Sequence, residues 1–481
     1  MASLRSPIRR IGGLLYSWVR LNQIREWCKG TEAGRWADIS VQSLCTDSRL
    51  LKAGDVFLAL KGDSFDGHNF VETAVKLGAA AVVTERPYPV SVPCLVVKNT
   101  LHALVELGRA LRDEFTGPVF AITGSAGKSS TKEMLATLLG PHTVASPASF
   151  NNLMGVSRTL CLVKDDTRQL ILEMGMNHLQ EIDELCESFR PIAGLITNIG
   201  DAHIGKLGGK QGVYQAKKEL FDYLARPGSG TIGVALNIDD GLIEKAYQEA
   251  FRTPVPVVTY SCEGKEASVK LTSRKLHPDT GALTLTLEVH GEEYSFALPL
   301  FGLHQGQNVV AAIAAALVLG RPFEEFRERV NSIRAASHRG EVKPLKDNRV
   351  LLDESYNSNP TALRSSLESL AELNPLRRRV LVIGEMFELG EFSERLHGEV
   401  GTFLADLLKK RGSPFILAGV GKNITPLLEP VRKAFPKVTV QAFSSHQEAT
   451  PWVQSQLQSG DVLFVKGSRG VELDKLVARL E

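Results

Sequence analysis

Long apolar runs are missing from this 481-residue sequence. No stretch approaches the roughly 20 consecutive apolar residues that a membrane-spanning helix needs, so we expect no membrane span. The segment 1–20 carries several arginines but lacks a long apolar core and a small-residue cleavage site, which argues against a secretory signal. The role of this basic extension is left open.

Cysteine motifs and an excess of either charge are missing as well. The six cysteines form no C-x-x-C pair and no zinc-type spacing, which predicts reduced thiols in a cytoplasmic protein. Lysine and arginine number 56 against 54 aspartates and glutamates, for a net charge of +2. That balance gives no basic field for nucleic acid, so we expect no nucleic-acid partner. We also expect a monomer.

The length and the pattern of the chain predict three α/β domains. At about 150 residues per domain, a chain of this length suggests about three hydrophobic cores. Polar breaks at 112–118 and 335–348 place the domains at 1–115, 116–335 and 336–481. In the last two, short apolar strands alternate with helical stretches, which predicts parallel sheets. Pro360 suits the first turn of a helix.

The strongest local signal is a phosphate-binding loop. The apolar strand Val119–Thr123 leads into TGSAGKSST and then into an amphipathic helix. Gly124 and Gly127 allow backbone N–H groups to turn toward an anion at the helix N-terminus. Lys128 can reach the β and γ phosphates, and Ser129 can bind Mg²⁺. The pattern predicts ATP binding; the alternative is an ordinary turn with a solvated lysine. The predicted loop contacts are Thr123, Gly124, Ser125, Ala126, Gly127, Lys128, Ser129 and Ser130.

This loop departs from the general nucleotide-binding pattern. Ile122 stands where G-x-x-x-x-G-K-[ST] has its first glycine. The shortened form resembles the T-G-x-x-G-K-[ST] loop of the Mur ligase family. From about Leu21 onward, further stretches extend the resemblance in the family's order. They are TDSRLLKAGDVFLALKG, FDGHNF, SFNNLMGV, EMGMNH, TNIGDAHI, AKKELF, LNIDD, GLHQGQN, DESYNSNP, GEMFELGEFSERLHGEVG and KGSRG.

The resemblance implies an architecture and a reaction. It implies a UDP-sugar-binding N-terminal domain, a central parallel-sheet ATPase domain and a C-terminal Rossmann-like domain. DESYNSNP, GEMFELGE and KGSRG are similar to family members that join D-alanyl-D-alanine to UDP-N-acetylmuramoyl-tripeptide, and the D-N-P-R motif of tripeptide-forming members is absent. The implied enzyme is a cytoplasmic ligase of peptidoglycan precursor synthesis that uses ATP and Mg²⁺ and forms an acyl phosphate.

Acyl-phosphate formation gathers negative charge, which cations and N–H donors must meet. Glu173 ends one predicted strand and His203 follows another, which places both at the sheet edge where ligands bind in such folds. By resemblance they bind Mg²⁺ together with Ser129 and Lys217, whose carbamylation would turn an ammonium into an oxygen donor. The alternative for Lys217 is a helix-surface lysine such as Lys218. The implied catalytic residues are Lys128, Glu173, His203, Lys217 and Arg339.

The remaining contacts also follow from the resemblance. Asn308 is expected at the adenine, and Arg339, beside the second boundary, is expected to reach the γ phosphate with its fork of donors. Further ATP contacts are Asp353, Glu354 and Tyr356. The implied substrate contacts are Thr46, Ser48, Arg49, Lys61, Gly62, His68, Asn69, Asn151, Asn152, Asn357, Asn359, Lys466, Ser468 and Arg469.

Three positions depart from the family pattern. Gln305 replaces an asparagine in the G-x-H-N-x-x-N stretch, Glu354 stands where aspartate is usual, and LNIDD replaces LNADD. Two alternatives remain beside the dipeptide-adding ligase: another ligase of the family with a different amine, and an NTPase or non-enzymatic nucleotide-binding switch. The missing early glycine argues against a mechanical NTPase. The diamino acid that the tripeptide carries is left open.

Overall fold

The computed structural model describes residues 19–62, 65–200 and 204–481. Most of the basic extension and the predicted metal ligand His203 therefore lie outside the described residues. The chain divides into two compact units. The first comprises Met1–Ala121, Gly140–Met176 and Glu181–Ile192, and the second comprises Ile122–Leu139, Asn177–Gln180 and Ala193–Glu481. Within the described ranges, no helix is long and apolar enough to cross a membrane.

Strands and helices alternate through most of the chain. The strands are β1 Thr31–Ala33, β2 Leu44–Cys45, β3 Val56–Leu58, β4 Ala81–Thr84, β5 Cys94–Val96, β6 Val119–Thr123, β7 Thr143–Ala145, β8 Gln169–Glu173, β9 Ala193–Ile196, β10 Gly233–Asn237, β11 Val257–Ser261, β12 Val269–Leu276, β13 Leu283–Val289, β14 Glu292–Leu298, β15 Glu341–Pro344, β16 Val350–Glu354, β17 Arg379–Gly384, β18 Phe415–Val420, β19 Val440–Phe443 and β20 Val462–Lys466. The helices are α1 Leu21–Trp27, α2 Val71–Lys76, α3 Thr100–Glu114, α4 Lys128–Leu139, α5 Leu153–Leu160, α6 Glu181–Phe189, α7 Lys210–Leu224, α8 Gly241–Ala250, α9 His304–Val318, α10 Phe323–Val330, α11 Pro360–Ala371, α12 Ser393–Arg411, α13 Thr425–Ala434, α14 His446–Gln456 and α15 Leu473–Leu480.

The first unit contains a five-stranded sheet in the order β1-β5-β4-β3-β2. Strands β2 to β5 run parallel, and β1 is antiparallel to β5 at the edge. Phe57 of β3 packs with Val71 and Ala74 of α2 in a buried core. In the same unit, β7 and β8 form a parallel pair. The small α/β domain expected near the N-terminus is therefore present.

The first predicted break is partly wrong. Helix α3 runs from Thr100 to Glu114, so Arg112 belongs to the helix rather than to a linker. Its guanidinium donates hydrogen bonds to the backbone oxygens of Phe189 and Arg190 at 2.7 and 3.0 Å. A polar residue that binds main-chain oxygens of a distant segment looks like linker polarity in the sequence.

The second unit contains strands β14-β13-β12-β11-β10-β9 as consecutive neighbours. Strands β9 and β10 run parallel, as predicted, and β11 and β12, which were not predicted, continue the parallel order. Strand β13 is antiparallel to both β12 and β14. The sequence analysis missed these antiparallel strands. Burial alternates along β13: the leucines are buried and the residues between them are more exposed. This is the pattern of a sheet covered on one face.

The same unit contains a six-stranded sheet in the order β15-β16-β20-β17-β18-β19. All pairs are parallel except that of β15 with β16. Central strand β17, RVLVIG, is buried throughout, as expected for a strand covered on both faces. The polar stretch 335–348, predicted as a break, contains edge strand β15. Pro360 begins α11 as predicted, after the capping residue Asn359.

Candidate active site

The phosphate loop joins β6 to α4 through two glycines with positive φ. Gly124 has φ of 149° and Gly127 has φ of 81°. A Cβ on Gly124 would lie 1.8 Å from Thr197 Oγ1, and one on Gly127 would lie 2.4 Å from Asn308 Oδ1. Only glycine fits either position, because the backbone approaches both side chains too closely for a methyl group. Both the positive φ angles and the close contacts with Thr197 and Asn308 therefore require glycine in this loop.

Asn198 holds this loop, and the sequence analysis did not single it out. Its Oδ1 accepts a hydrogen bond from the Ala126 backbone N–H at 2.9 Å, and its Nδ2 donates to the Ala126 oxygen at 3.1 Å. Thr197 Oγ1 donates to the same oxygen at 2.5 Å. The quoted motif TNIGDAHI contained both residues, and its position after a strand was the available signal.

Two side chains at the loop fit a bound anion. Lys128 Nζ lies at the loop and donates to the Gly124 oxygen at 2.6 Å. Thr123 Oγ1 is buried and has no hydrogen-bond partner among the described residues. A buried hydroxyl without a partner costs about 1–3 kcal/mol of stability. A ligand oxygen that accepted a hydrogen bond from this hydroxyl would remove that cost. Ser129 and Ser130 are buried in the first turn of α4, where backbone N–H groups are unpaired by the helix.

Lys217 lies on the inner side of α7 with 1% of its surface exposed. Burial, together with the positive charge of Lys128, holds the pKa of Lys217 well below its usual range. Its neighbour Lys218 instead pairs with Asp222 at 2.5 Å on the same helix. The two adjacent lysines therefore differ: Lys217 is a buried amine, and Lys218 forms an ion pair within the helix.

Glu173 ends β8 in the first unit and is 1% exposed. Its Oε1 accepts a hydrogen bond from Asn151 Nδ2 at 3.1 Å. The Gly175 backbone N–H donates to the Asn151 oxygen at 2.8 Å, and a Cβ on Gly175 would lie 2.7 Å from Asn151 Cγ. Asn152 caps α5 by accepting from the Gly155 N–H at 2.9 Å. The loop with the two predicted substrate asparagines is thus fixed to the strand that carries Glu173.

A chain of amides runs from α4 to Arg339. Thr131 Oγ1 donates to Asn308 Oδ1 at 3.5 Å, and Asn308 Nδ2 donates to Gln305 Oε1 at 2.9 Å. Gln305 Nε2 then donates to the Arg339 backbone oxygen at 2.8 Å. These contacts place the predicted adenine residue and the predicted γ-phosphate arginine in one network.

The Arg339 guanidinium stacks on Tyr356, with its central carbon 3.8 Å from the ring centre. The Arg469 guanidinium lies 5.6 Å from the same ring and pairs with Asp474 at 2.9 Å. Such cation–π contacts contribute about 0.5–2 kcal/mol, depending on exposure. The structure thus brings together three predicted contact residues from three separate motifs.

Several other predicted C-terminal contacts already have protein partners. Lys466 Nζ lies 3.2 Å from Glu354 Oε2, and His304 Nε2 lies 3.4 Å from Glu354 Oε1. Ser468 Oγ donates to the Ser358 oxygen at 3.1 Å. Asn359 caps α11, whereas Asn357 is exposed. A ligand that used Lys466 would have to compete with a buried carboxylate.

Asp353 belongs to an ionic cluster with His338, Glu341 and Lys343. The first three place a potential ligand atom each within 4.8 Å of one another, as in a metal site. Lys343 Nζ, however, lies 3.3 Å from both Glu341 and Asp353 and already supplies a positive charge. His338 Nδ1 lies 2.7 Å from Asp353 Oδ2, and this hydrogen bond raises the pKa of His338. The cluster is balanced as an ion-pair network, which argues against a metal.

The predicted UDP-sugar contacts lie in the first unit. His68 uses both ring nitrogens within the protein, since Nδ1 lies 2.6 Å from Asp66 Oδ1 and Nε2 accepts from the Glu85 N–H at 2.9 Å. Arg49 pairs with Asp47 at 2.6 Å. Thr46 and Ser48 are half-buried, and Lys61, Gly62 and Asn69 are exposed.

Thr46 also lines a shallow cleft together with Arg158. The Arg158 guanidinium stacks on Phe150 at 4.4 Å. The motif SFNNLMGV stops just before Arg158 and Arg158 was missed, because a helical arginine carries no signal of its own in one sequence.

The chain matches three protein-family descriptions. Residues 40–112 match "Mur ligase family, catalytic domain", residues 122–316 match "Mur ligase middle domain", and residues 338–469 match "Mur ligase, glutamate ligase domain".

Curated relatives are similar over most of their length. A UDP-N-acetylmuramoyl-tripeptide–D-alanyl-D-alanine ligase from Synechocystis is 34% identical and covers 92% of each chain. The enzyme of that name from Escherichia coli is 32% identical over 96% of this chain and 98% of its own. Among solved structures, MurF from Acinetobacter baumannii is 30% identical with a TM-score of 0.79, covering 97% of this chain and 99% of its own. MurF ligase from Thermotoga maritima in complex with ADP is 24% identical with a TM-score of 0.71, covering 91% and 96%, and supports the fold alone.

Proposed function

This chain belongs to the Mur ligase family of ATP-dependent ligases, and from that premise we propose that it adds D-alanyl-D-alanine to UDP-N-acetylmuramoyl-tripeptide in peptidoglycan precursor synthesis. The observation that carries the proposal is 30–34% sequence identity to dipeptide-adding ligases over more than nine-tenths of the chain. The phosphate loop, in which Gly124 and Gly127 admit no side chain, supports nucleotide binding.

The proposed reaction has two steps. A terminal carboxylate oxygen of the tripeptide attacks the γ phosphorus of ATP, the bond to the β-phosphate oxygen breaks, and ADP leaves. The amine of the dipeptide then attacks the acyl carbon, loses a proton, and inorganic phosphate leaves as the C–O bond breaks. Both steps crowd anionic oxygens together, so fixed cations are the main catalytic requirement.

Lys128 and Arg339 meet this requirement in the proposal. Lys128 lies at the loop and compensates charge on the transferred phosphoryl group. Arg339 is held by its main chain through Gln305 and by its side chain against Tyr356, which limits the orientations of its donor fork.

We propose that Ser129, Glu173, His203 and Lys217 hold Mg²⁺, which would neutralise phosphate charge when bound. The buried amine of Lys217 supports carbamylation, because only a neutral amine attacks CO₂ and burial favours the neutral form. In that step a nitrogen–carbon bond forms, one proton is released, and a carboxylate-like oxygen donor results.

The remaining predictions belong to the same proposal. They comprise domains at 1–115, 116–335 and 336–481, substrate contacts in the Thr46–Asn69 and Asn151–Asn152 regions, a cytoplasmic location and a monomer. All six cysteines are free, which fits a reducing compartment.

Substrate-omission kinetics test the proposed function. Release of ADP by the purified protein should require the UDP-muramoyl-tripeptide and D-alanyl-D-alanine together. ADP release without either substrate would favour a nucleotide switch or motor. Strict dependence on the tripeptide with a preference for another amine would favour a different ligase of the family.

A further inference from the structure

Gln305 connects the nucleotide region to the start of the C-terminal segment. It lies in the first turn of α9 and is 2% exposed. Its amide oxygen accepts from Asn308 at 2.9 Å, while its amide nitrogen donates to the Arg339 main-chain oxygen at 2.8 Å. Both ends of the amide are therefore used, and each contacts a residue that the proposed function places at ATP.

The backbone on both sides of this amide chain is shaped to admit it. Gly340 has φ of 91°, and a Cβ there would lie 2.7 Å from Gln305 Nε2. Gly127 of the phosphate loop would place a Cβ 2.4 Å from Asn308 Oδ1. The two glycines leave room for side-chain amides at both ends, so the chain from Gly127 to Gly340 is packed without a gap.

The length of the side chain matters for this connection. Where the family pattern has asparagine, this chain has glutamine. An asparagine has about 1.5 Å less reach, one carbon–carbon bond, so it cannot hold both hydrogen bonds from the same backbone position. Loss of the bond would leave the partly buried Arg339 oxygen without its donor and free this part of the main chain to shift.

We propose that Gln305 is a positioning residue that fixes the Arg339 main chain relative to the phosphate loop, so that the Arg339 guanidinium is aligned when ATP is bound. The inference rests on the proposed function for the role of Arg339. Gln305 itself acts through Asn308 and Arg339 and needs no contact with substrate.

The experiment compares Gln305→Asn with Gln307→Asn, a matched change two residues along the same helix at a partly exposed position. Loss of one buried hydrogen bond corresponds to about a tenfold change, so Gln305→Asn should lower kcat about tenfold. The KM for the UDP substrate should change little, and Gln307→Asn should resemble wild type. Gln305→Glu, which keeps the length but replaces the donor with an oxygen, should be impaired at least as strongly.

A double-mutant cycle separates positioning from simple destabilisation. If Gln305 acts through Arg339, Gln305→Asn should have little further effect on kcat in an Arg339→Lys background. Full additivity of the two changes would overturn the inference, as would wild-type kcat in Gln305→Asn.

Amide hydrogen exchange gives a readout that does not depend on ligation. Gln305→Asn should raise exchange at 338–341 while Gln307→Asn does not. Unchanged exchange there would refute the connection even if the enzyme had a different substrate. If the wild type has no ligase activity but Gln305→Asn still raises exchange at 338–341, the proposed function is refuted. The connection between Gln305 and the Arg339 main chain would then remain supported.

Discussion

The phosphate-loop region and the polar region of the C-terminal segment differ in how their polar side chains are paired within the protein. In the first, Asn198 and Thr197 fix the main chain of the loop, while Thr123 Oγ1 has no partner among the described residues. In the second, Lys466 pairs with Glu354 and Asp353 pairs with His338. Under the proposed function, the loop is arranged before ligand arrives, whereas the C-terminal side chains would have to exchange internal partners.

The difference separates two kinds of mutational effect. Removing a charge from the loop region takes away transition-state stabilisation directly, because the loop is already in place. Removing a charge from the C-terminal region also leaves its internal partner buried and unpaired, so activity and stability change together. Four variants test this distinction, from the largest expected effect to the smallest.

Lys128→Ala should lower kcat on the order of 10³-fold or more, because charge on the transferred phosphoryl group is no longer compensated. The thermal unfolding midpoint should stay near wild type, since Lys128 anchors no core. Steady-state kinetics and circular dichroism measure both quantities. Near-wild-type turnover would show that the loop region is not the catalytic one.

Lys217→Ala should fold, bind the UDP substrate and ligate on the order of 10²-fold more slowly, because a metal-binding oxygen is lost. Small carboxylic acids such as acetate should partly restore activity by placing an oxygen donor in the vacated volume. The same acids should not rescue Lys128→Ala, where a cation is missing. The neighbouring Lys218→Ala is the control and should stay near wild type; a fully active Lys217→Ala would reduce Lys217 to a buried structural lysine.

Arg339→Lys should lower kcat about tenfold and change binding of the UDP substrate much less, because lysine keeps the charge but loses the planar fork. Initial-rate kinetics together with calorimetric binding of the UDP substrate separate the two. An equal loss in both quantities, or none in either, would count against a role for Arg339 at the γ phosphate.

His338→Gln should show the smallest effect, and the effect should depend on pH. The hydrogen bond and charge of Asp353 raise the pKa of His338, so its contribution is complete below the unfolded value of about 6.5 and is lost as pH rises through the folded value. The free energy of unfolding of the wild type should exceed that of the variant by about 1 kcal/mol near pH 5.5 and by less near pH 9.

Urea unfolding at several pH values measures this difference. Glu341 and Lys343 face the same pair, so His338→Gln is compared in backgrounds that retain both. The contribution of Asp353 to stability should change with pH in the opposite direction. Burial raises the pKa of Asp353, but His338 brings it below the usual value, so this contribution is lost as the pH falls. A difference in the free energy of unfolding between wild type and His338→Gln that grows as the pH rises would contradict this account.

The sequence predicted local elements well where one segment contains the whole signal. The strand Val119–Thr123, the glycine turn after it and the start of α11 at Pro360 were all predicted correctly, because strand, turn and cap signals lie within a few residues. The α/β class with parallel sheets is also confirmed. The antiparallel strands β12 to β14 extend the sheet of the second unit that contains β9 to β11.

The sequence could not predict which polar residues are already paired. Lys466 and Glu354 are far apart in the chain, and their contact exists because parallel strands β16 and β20 are neighbours. Asn198 and Arg158 were missed for a similar reason, since an amide or a guanidinium acquires its role from the segment it meets. The metal set of Ser129, Glu173, His203 and Lys217 stays a prediction.

An isotope-transfer measurement tests the central claim most directly. The tripeptide substrate is prepared with ¹⁸O in its terminal carboxylate and incubated with the enzyme, ATP, Mg²⁺ and D-alanyl-D-alanine. If the carboxylate is activated as an acyl phosphate, each amide formed should release inorganic phosphate that carries one ¹⁸O atom. Amide formation with unlabelled phosphate, or phosphate release without amide formation, would contradict the account.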